Sequence, residues 1–195
     1  MRIIAGSAKG CKLSNFKGNL IRPTLDRVKE TLFNILGKNT LNSRFLDLFS
    51  GTGNIAIEAL SRGAEEVVLV DIDVNSQRLI LNNLQKCGFR NSQNWKLLKM
   101  DALKSILTLN LQGKKFNCIY LDPPFTANIY KNCLLELSNS KLLEENTSIV
   151  VEHFFKEILS DSYGSLNRYR EKKIGDSHLS FYSVNIKYKY LKNET

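Results

Sequence analysis

The feature that most constrains this chain is an alternation of short apolar runs with amphipathic stretches, which begins at residue 44. Apolar runs of this length, separated by helical patterns, are typical of βαβ units that build a parallel sheet. The runs are too apolar for a sheet with one solvated face, so helices should cover both faces. The sequence therefore predicts an α/β fold around a mostly parallel sheet.

Seven strands follow from this pattern. Five parallel strands are predicted at residues 44–49, 66–72, 95–100, 116–121 and 147–154. Helices are predicted between them at about 54–62, 74–87, 102–109 and 127–138, and Gly63 and Gly88 should end the first two. Strict alternation at 166–174 and 180–190, joined through residues 175–177, predicts a C-terminal antiparallel hairpin that closes the sheet.

The N-terminal part of the chain is strongly basic. Of the formal net charge of +9, residues 1–38 carry +6, from eight Lys or Arg against Asp26 and Glu30. Such a concentration favours a polyanionic partner, because each neutralised phosphate releases condensed counterions. Residues 1–23 should form a small hairpin or arm, and 24–36 a helix that Gly37 can end. We expect this arm to face a nucleic acid, the alternative being a merely solvated extension.

The length and composition favour one cytoplasmic domain. At 195 residues and 43% hydrophobic composition, the chain can bury a core of its own, with residues 1–40 as arm and helix and 41–195 as a Rossmann-like core. No apolar run reaches the roughly 18 residues of a membrane span. Neither the four cysteines nor His153 and His178 show metal-ligand spacing, so we expect no metal site. Cys118 should be a buried apolar residue.

The first chemical motif is a strand that runs through Asp47 and Phe49 into a glycine turn at Gly51 and Gly53. The glycines let the backbone approach a ligand, and the following helix N-terminus offers unpaired amide donors. The stretch Gly51-Thr52-Gly53-Asn54-Ile55-Ala56 also fits the dinucleotide fingerprint. Asp47 favours a different ligand, because a carboxylate four positions before the first glycine repels a pyrophosphate but binds an ammonium group.

Two further acidic residues follow the next two predicted strands. Asp71 ends the second strand, where a carboxylate can accept both hydroxyls of a ribose. This feature predicts a nucleoside ligand without naming it. Asp101 lies just beyond the third strand, where it could contact an adenine amino group or only cap the next helix.

The most specific motif is Asp122-Pro123-Pro124-Phe125 at the end of the fourth strand. Two successive prolines stiffen the turn and leave the Asp122 carboxylate and the Pro123 carbonyl as acceptors at a fixed separation. Two acceptors can hold both hydrogens of an exocyclic amine and aim its lone pair at a methyl donor. Phe125 offers a stacking surface for a base that has left its helix.

Together these motifs resemble the amino-methyltransferases, in which the cofactor motif precedes the catalytic motif. More specifically, Met1-Arg2-Ile3-Ile4-Ala5-Gly6, the segment 22–34, Glu58-Ala59-Leu60-Ser61-Arg62-Gly63-Ala64 and Gly175-Asp176-Ser177 resemble the RsmD family of bacterial 16S ribosomal RNA guanine-N2 methyltransferases. The resemblance spans nearly the whole chain.

The resemblance implies a Rossmann-like class I fold and S-adenosylmethionine as cofactor, with no metal. It implies that Arg22 and Thr24 help cover the methionine end of the cofactor. It also implies that RNA is held by the basic residues Arg2, Lys9, Lys12, Arg22 and Arg27. The expected partner is 16S rRNA within an assembling small ribosomal subunit, bound by a monomer.

Three other functions compete with this interpretation. An adenine-N6 methyltransferase would use the same two acceptors, although a DNA enzyme usually needs an additional recognition domain. A nicotinamide-dependent oxidoreductase would share the glycine turn and Asp71, but Asp47 and the two prolines argue against it. A nucleic-acid-binding protein with a catalytically inactive fold would have no need of intact Asp47 and Asp122.

Overall fold

The computed structural model describes residues 1–16, 23–124 and 129–184. Its strands are Arg44–Asp47 (β1), Glu66–Val70 (β2), Trp95–Leu98 (β3), Phe116–Leu121 (β4), Leu143–Phe154 (β5), Ser162–Tyr163 (β6), Leu166–Ile174 (β7) and Ser177–Ser183 (β8). Its α-helices are Pro23–Leu36 (α1), Asn54–Ser61 (α2), Val74–Lys86 (α3), Ala102–Leu111 (α4) and Ile129–Asn139 (α5), and a 3-10 helix follows α1 at Gly37–Thr40.

The strands form one sheet in the order β3-β2-β1-β4-β5-β8-β7-β6. β1 to β5 pair in parallel, and β5, β8, β7 and β6 pair antiparallel. The predicted α/β class, the parallel core and the antiparallel C-terminal hairpin are confirmed. The predicted number of seven strands is wrong, because the two-residue strand β6 is too short to show a period in the sequence.

Several predicted boundaries move by a few residues. β5 starts at Leu143 rather than at residue 147, because Leu143 pairs with Phe116 across a register shift before regular pairing resumes. β8 starts at Ser177, so only Gly175 and Asp176 form the turn of the hairpin. The predicted extension of β8 to residue 190 lies outside the described residues. Gly63 and Gly88 follow the ends of α2 and α3 with positive φ, as predicted.

Alternating side chains give the sheet two buried faces. One face packs against α1, α2 and α3 through Val28, Ile57 and Ile80, among others. The other face packs against α4 and α5 through residues such as Ile106 and Leu134. Both faces are therefore covered, as the apolar strands predict. Within the residues that the structure describes, no helix combines the length and the apolarity needed to cross a bilayer.

The first residues form the predicted hairpin. An antiparallel bridge joins Arg2 to Lys12, and the Ile3 amide donates to the Cys11 carbonyl over 3.0 Å. A disulfide joins Cys11 to Cys87 at the end of α3, 76 residues later. The cysteine spacing gave no sign of this pair, because only the folded chain brings the hairpin beside α3. Cys118 is buried, as predicted.

Candidate functional site

The carboxyl ends of the parallel strands open into two adjoining cavities, at the edge where open α/β sheets bind ligands. The larger cavity has a volume of about 1050 Å³ and extends from Asp71 and Asp101 to Asp122 and the β7–β8 turn. The smaller has a volume of about 210 Å³ and lies beside Asp47 and the N-terminal hairpin. Four residues line both cavities: Phe49, Gly51, Asp122 and Glu152. The cavities therefore meet beside the predicted catalytic motif.

The glycine turn after β1 is fixed to β2 by short hydrogen bonds. The Ser50 amide donates to the Val70 carbonyl over 2.9 Å, and the Val70 amide donates to the Ser50 hydroxyl over 3.1 Å. Gly51 and Gly53 have φ of 52° and 78°, values that side-chain-bearing residues rarely adopt. Ser50, which the sequence analysis did not single out, thus holds the turn in place.

Asp47 is buried at the end of β1 and has one unsatisfied oxygen. Its exposed fraction is 1%, and its Oδ1 has no hydrogen-bond partner among the described residues. Burial, and then the nearby Asp71, raise its pKa from 3.8 to about 7, although backbone amide donors oppose the shift. A buried carboxylate with a free acceptor is suited to a cationic ligand group in the smaller cavity.

Asp71 and Asp101 both line the larger cavity. The Gly51 and Asp73 amides each donate to Asp71 over 2.8 Å, so its carboxylate is held in a fixed orientation. Burial raises the pKa of Asp71. Asp101 accepts from the Leu103 and Lys104 amides over 2.9 and 3.2 Å. It is therefore the N-cap of α4, and its contact with an adenine stays a prediction.

Asp122 lies where β4 ends, followed by Pro123 and Pro124, and all three line the large cavity. The protein packed around this position, and then the carboxylates of Glu152 and Asp47, raise the pKa of Asp122. Asp122 is exposed to the cavity, and the two neighbouring negative charges disfavour a third. Asp122 is therefore a better proton acceptor than an ordinary aspartate. Phe125 lies outside the described residues.

A buried ion pair connects the N-terminal hairpin to the core beside the site. Lys29 of α1 and Glu58 of α2 have no exposed side-chain surface, and their charged atoms are 3.1 Å apart. The Lys29 ammonium also donates to the Arg2 carbonyl over 2.5 Å and to Asn54 over 2.8 Å. Desolvation lowers the pKa of Lys29, although Glu58 opposes the shift.

Glu58 binds the hairpin directly. Its carboxylate accepts from the Ile4 and Ala5 amides over 2.8 and 3.0 Å and from Arg62 over 2.8 Å. Next to these contacts, Gly6 has a φ of 83°, and a Cβ there would lie 1.7 Å from the Ser61 carbonyl oxygen. The backbone of the hairpin thus lies directly against the end of α2. The motifs around Lys29 and Glu58 carried the family resemblance, but their pairing was not predicted.

The basic residues predicted to bind RNA are not all within the described part. Arg2, Lys9, Lys12 and Arg27 are exposed. Arg2 and Lys12 are cross-strand partners in the hairpin bridge, so two positive charges lie side by side. Arg22, and the side chain of Thr24, lie outside the described residues. Hairpin residues Met1, Asn15 and Phe16 do line the small cavity, which places the arm beside the glycine turn.

His153 and His178 do form a cluster, contrary to the expectation from their spacing. Pairing of β5 with β8 places them opposite each other, and with Glu171 their possible ligand atoms lie within 4.8 Å. A competing cation is also present, since the guanidinium of Arg168 lies 3.8 Å from the Glu171 carboxylate. His153 bonds to the Ser180 hydroxyl over 2.9 Å. We therefore assign no metal to this cluster.

This fold, with its cavities at the carboxyl edge of the parallel strands, is that of the Rossmann-like class I methyltransferases. The solved structure of yhhF from Escherichia coli, assigned as a methyltransferase, is similar to it with a TM-score of 0.82 and 26% identity, covering 96% of this chain and 99% of that one.

Sequence comparisons give the family. A family model described as Conserved hypothetical protein 95 matches residues 1–183, and the chain belongs to this family, the RsmD family of the sequence resemblance. Ribosomal RNA small subunit methyltransferase D from Haemophilus influenzae is 36% identical over 78% of each chain. YlbH from Bacillus subtilis, assigned as an rRNA methyltransferase, is 34% identical over 93% of this chain and 98% of its own length.

Proposed function

We propose that this chain is an S-adenosylmethionine-dependent methyltransferase that modifies the exocyclic N2 amine of a guanine in 16S rRNA of the small ribosomal subunit. The observation that carries the proposal is the position of Asp122, which lines the cavity of the nucleoside-binding carboxylate Asp71 as well as the cavity beside Asp47. Asp122 therefore lies between the two ends of the proposed cofactor site. The names of the relatives, which refer to small-subunit rRNA, support the RNA substrate.

The residues fit S-adenosylmethionine at both of its ends. The unsatisfied Asp47 oxygen suits the methionine ammonium, and the fixed Asp71 carboxylate suits the ribose hydroxyls. A nicotinamide dinucleotide fits less well, because its pyrophosphate would lie against the buried Asp47. When bound, the cofactor supplies an activated methyl group. The cavity of about 1050 Å³ reaches the upper end of small-molecule pockets and can hold a nucleoside beside it.

The chain's own residues orient the base and move the proton. The Asp122 carboxylate and the Pro123 carbonyl accept the two hydrogens of the amine, so that the nitrogen lone pair points toward the cofactor site. Positioning of this kind supplies several kcal/mol of the barrier reduction. Asp122, whose raised pKa makes it more basic, accepts the proton that the methylated amine releases. Phe125 provides the stacking surface.

Cofactor affinity should depend on pH through Asp47. The pKa of this carboxyl is raised to about 7, whereas a bound ammonium favours the ionised form, so binding below pH 7 must release a proton. Affinity should therefore rise by up to about tenfold per pH unit as pH increases toward 7 and then level off. Calorimetry between about pH 5.5 and 7.5 measures this. An Asp47→Asn variant should bind the cofactor weakly at every pH. If this variant kept the pH dependence of the affinity, another residue would be the titrating group.

The hairpin should contact phosphate through Arg2 and Lys12. Like charges placed opposite each other are unfavourable without an anion between them, and the two side chains are exposed cross-strand partners. Replacing either by alanine should weaken RNA binding and lower the salt slope of log K by about 1 per lost phosphate contact. The control is Lys141→Ala, just beyond the end of α5, a helix that packs on the face of the sheet opposite the hairpin. Equal salt slopes in all three variants would contradict a role for the hairpin.

The proposed reaction is tested by transfer of labelled methyl from S-adenosylmethionine to unmodified small-subunit RNA, both naked and bound to ribosomal proteins. The digest is then analysed for modified nucleosides. N2-methylguanosine is the expected product, and transfer to the protein-bound RNA would support an assembling subunit as substrate. N6-methyladenosine would overturn the guanine assignment, and absence of label on both RNAs would overturn the rRNA substrate.

A further inference from the structure

A second carboxylate lies beside Asp122 and has had no role so far. Leu121 of β4 pairs with Val151 of β5, so the next residues, Asp122 and Glu152, occupy adjacent positions on neighbouring strands about 4.8 Å apart. Leu121 and Val151 face α4 and α5, so the side chains that follow them share the opposite face. Both carboxylates line both cavities, and a base held by Asp122 therefore meets Glu152.

Glu152 is buried and oriented by another side chain. Its exposed fraction is 8%, and the Tyr120 hydroxyl donates to its Oε2 over 2.5 Å. Burial raises the pKa of Glu152, while the hydrogen bonds from the Tyr120 and Ser177 hydroxyls lower it. A buried carboxylate costs free energy. An apolar pair at positions 120 and 152 would fill the same core at lower cost, so the position of this acid at the junction of two cavities indicates a ligand contact.

The hydrogen-bonding edges of the two candidate bases differ next to the amine. In guanine the N2 amine lies between N1, which carries a hydrogen and donates, and N3, which accepts. In adenine the only ring nitrogen beside the N6 amine is N1, which has a lone pair and accepts. A carboxylate on the N1 side of the bound amine therefore stabilises guanine and repels adenine. Asp122 and the Pro123 carbonyl alone cannot make this distinction, because both amines offer two hydrogens.

We propose that Glu152 selects guanine by accepting the N1 hydrogen of the base whose N2 amine is bound by Asp122, and that Tyr120 positions it. This inference rests on the proposed guanine-N2 reaction and adds the residue that determines base specificity. The discrimination arises because the wrong base leaves a buried carboxylate against a lone pair, an arrangement that costs far more than a missing contact in an apolar pocket.

The test uses two versions of a small-subunit RNA fragment that spans the nucleotide methylated by the wild-type protein. One version carries guanine at the target, and the other carries 2-aminopurine, which keeps the amine but has an accepting N1. Wild-type protein should prefer guanine by roughly 10- to 100-fold in kcat/KM. Glu152→Gln, whose amide can donate to an accepting N1, should reduce this preference at least tenfold, with unchanged S-adenosylmethionine affinity.

Two more variants separate this role from a structural one. Tyr120→Phe leaves the carboxylate in place but removes its hydroxyl partner, so activity on guanine should fall while guanine stays preferred. Glu157→Gln removes a carboxylate from another wall of the same cavity and should keep the wild-type preference. If wild type forms N2-methylguanosine and Glu152→Gln keeps its full preference, the role of Glu152 is overturned alone. If wild type methylates adenine instead, the proposed function and this inference are both overturned.

Discussion

Replacing Asp122 by alanine is expected to abolish methyl transfer, with a loss of roughly 10³-fold or more in kcat. The variant loses both an acceptor for the amine hydrogens and the group that takes the released proton. S-adenosylmethionine affinity should change little, since the ammonium and ribose contacts are assigned to Asp47 and Asp71. Single-turnover transfer to RNA and calorimetry with the cofactor measure the two quantities separately.

Asp122→Asn provides the matched comparison. The amide oxygen still accepts one amine hydrogen, so this variant should retain more activity than the alanine variant. It should also lose the fall in rate at low pH, since the raised pKa of Asp122 makes the wild-type rate decrease as pH drops through that pKa. An active alanine variant would contradict the assignment of Asp122, and equal losses in both variants would assign its role to the charge alone.

The largest expected effect on stability comes from Glu58. Glu58→Gln leaves the Lys29 ammonium buried without its ion-pair partner, at a cost of roughly 3–5 kcal/mol. For a chain of this size, this corresponds to a Tm decrease of roughly 6–20 °C. Thermal unfolding measures it. The hairpin should also loosen, because the Ile4 and Ala5 amides lose a charged acceptor.

Two comparisons identify the cause of that loss. Glu66→Gln breaks the partly exposed Lys114–Glu66 pair, whose charged atoms are 2.7 Å apart, and should cost at most about 1 kcal/mol. Combining Glu58→Gln with Lys29→Met removes the unpaired charge and should recover part of the lost Tm. If the single Glu58 variant were as stable as the Glu66 variant, the buried pair would contribute no more than a surface pair.

The sequence predicted the ends of the core strands and helices well where charged residues, proline or glycine border an apolar run. β4 matches the prediction at both ends, because Lys114 and Lys115 precede an unbroken apolar run and Asp122-Pro123 follows it. Gly63 and Gly88 marked the ends of α2 and α3, because both adopt the positive φ that commonly ends a helix. The start of β5 was missed because residues 144–146 are polar and read as a loop, although Leu143 before them pairs with β4.

The lining of the cavities was predictable where an acidic side chain ends a buried strand, as with Asp47, Asp71 and Asp122, and the roles of these residues stay predictions. Lys29 and Glu58 were missed because such residues on an amphipathic helix normally face water. Glu152 was missed because it continues an apolar strand, and its meaning depends on the register between β4 and β5. The Cys11–Cys87 and His153–His178 pairs depend on contacts between distant segments. The hydrophobic periodicity of the sequence predicts local elements but not such contacts.

The buried carboxylate of Asp47 also bears on turnover. Methyl transfer converts a sulfonium into a neutral thioether, so the spent cofactor carries one positive charge less than the fresh one. A carboxylate in the proposed cofactor site attracts the fresh form more strongly, because its field acts where solvent screening is weak. We therefore expect the charge that holds the donor to favour exchange of the spent cofactor after each reaction.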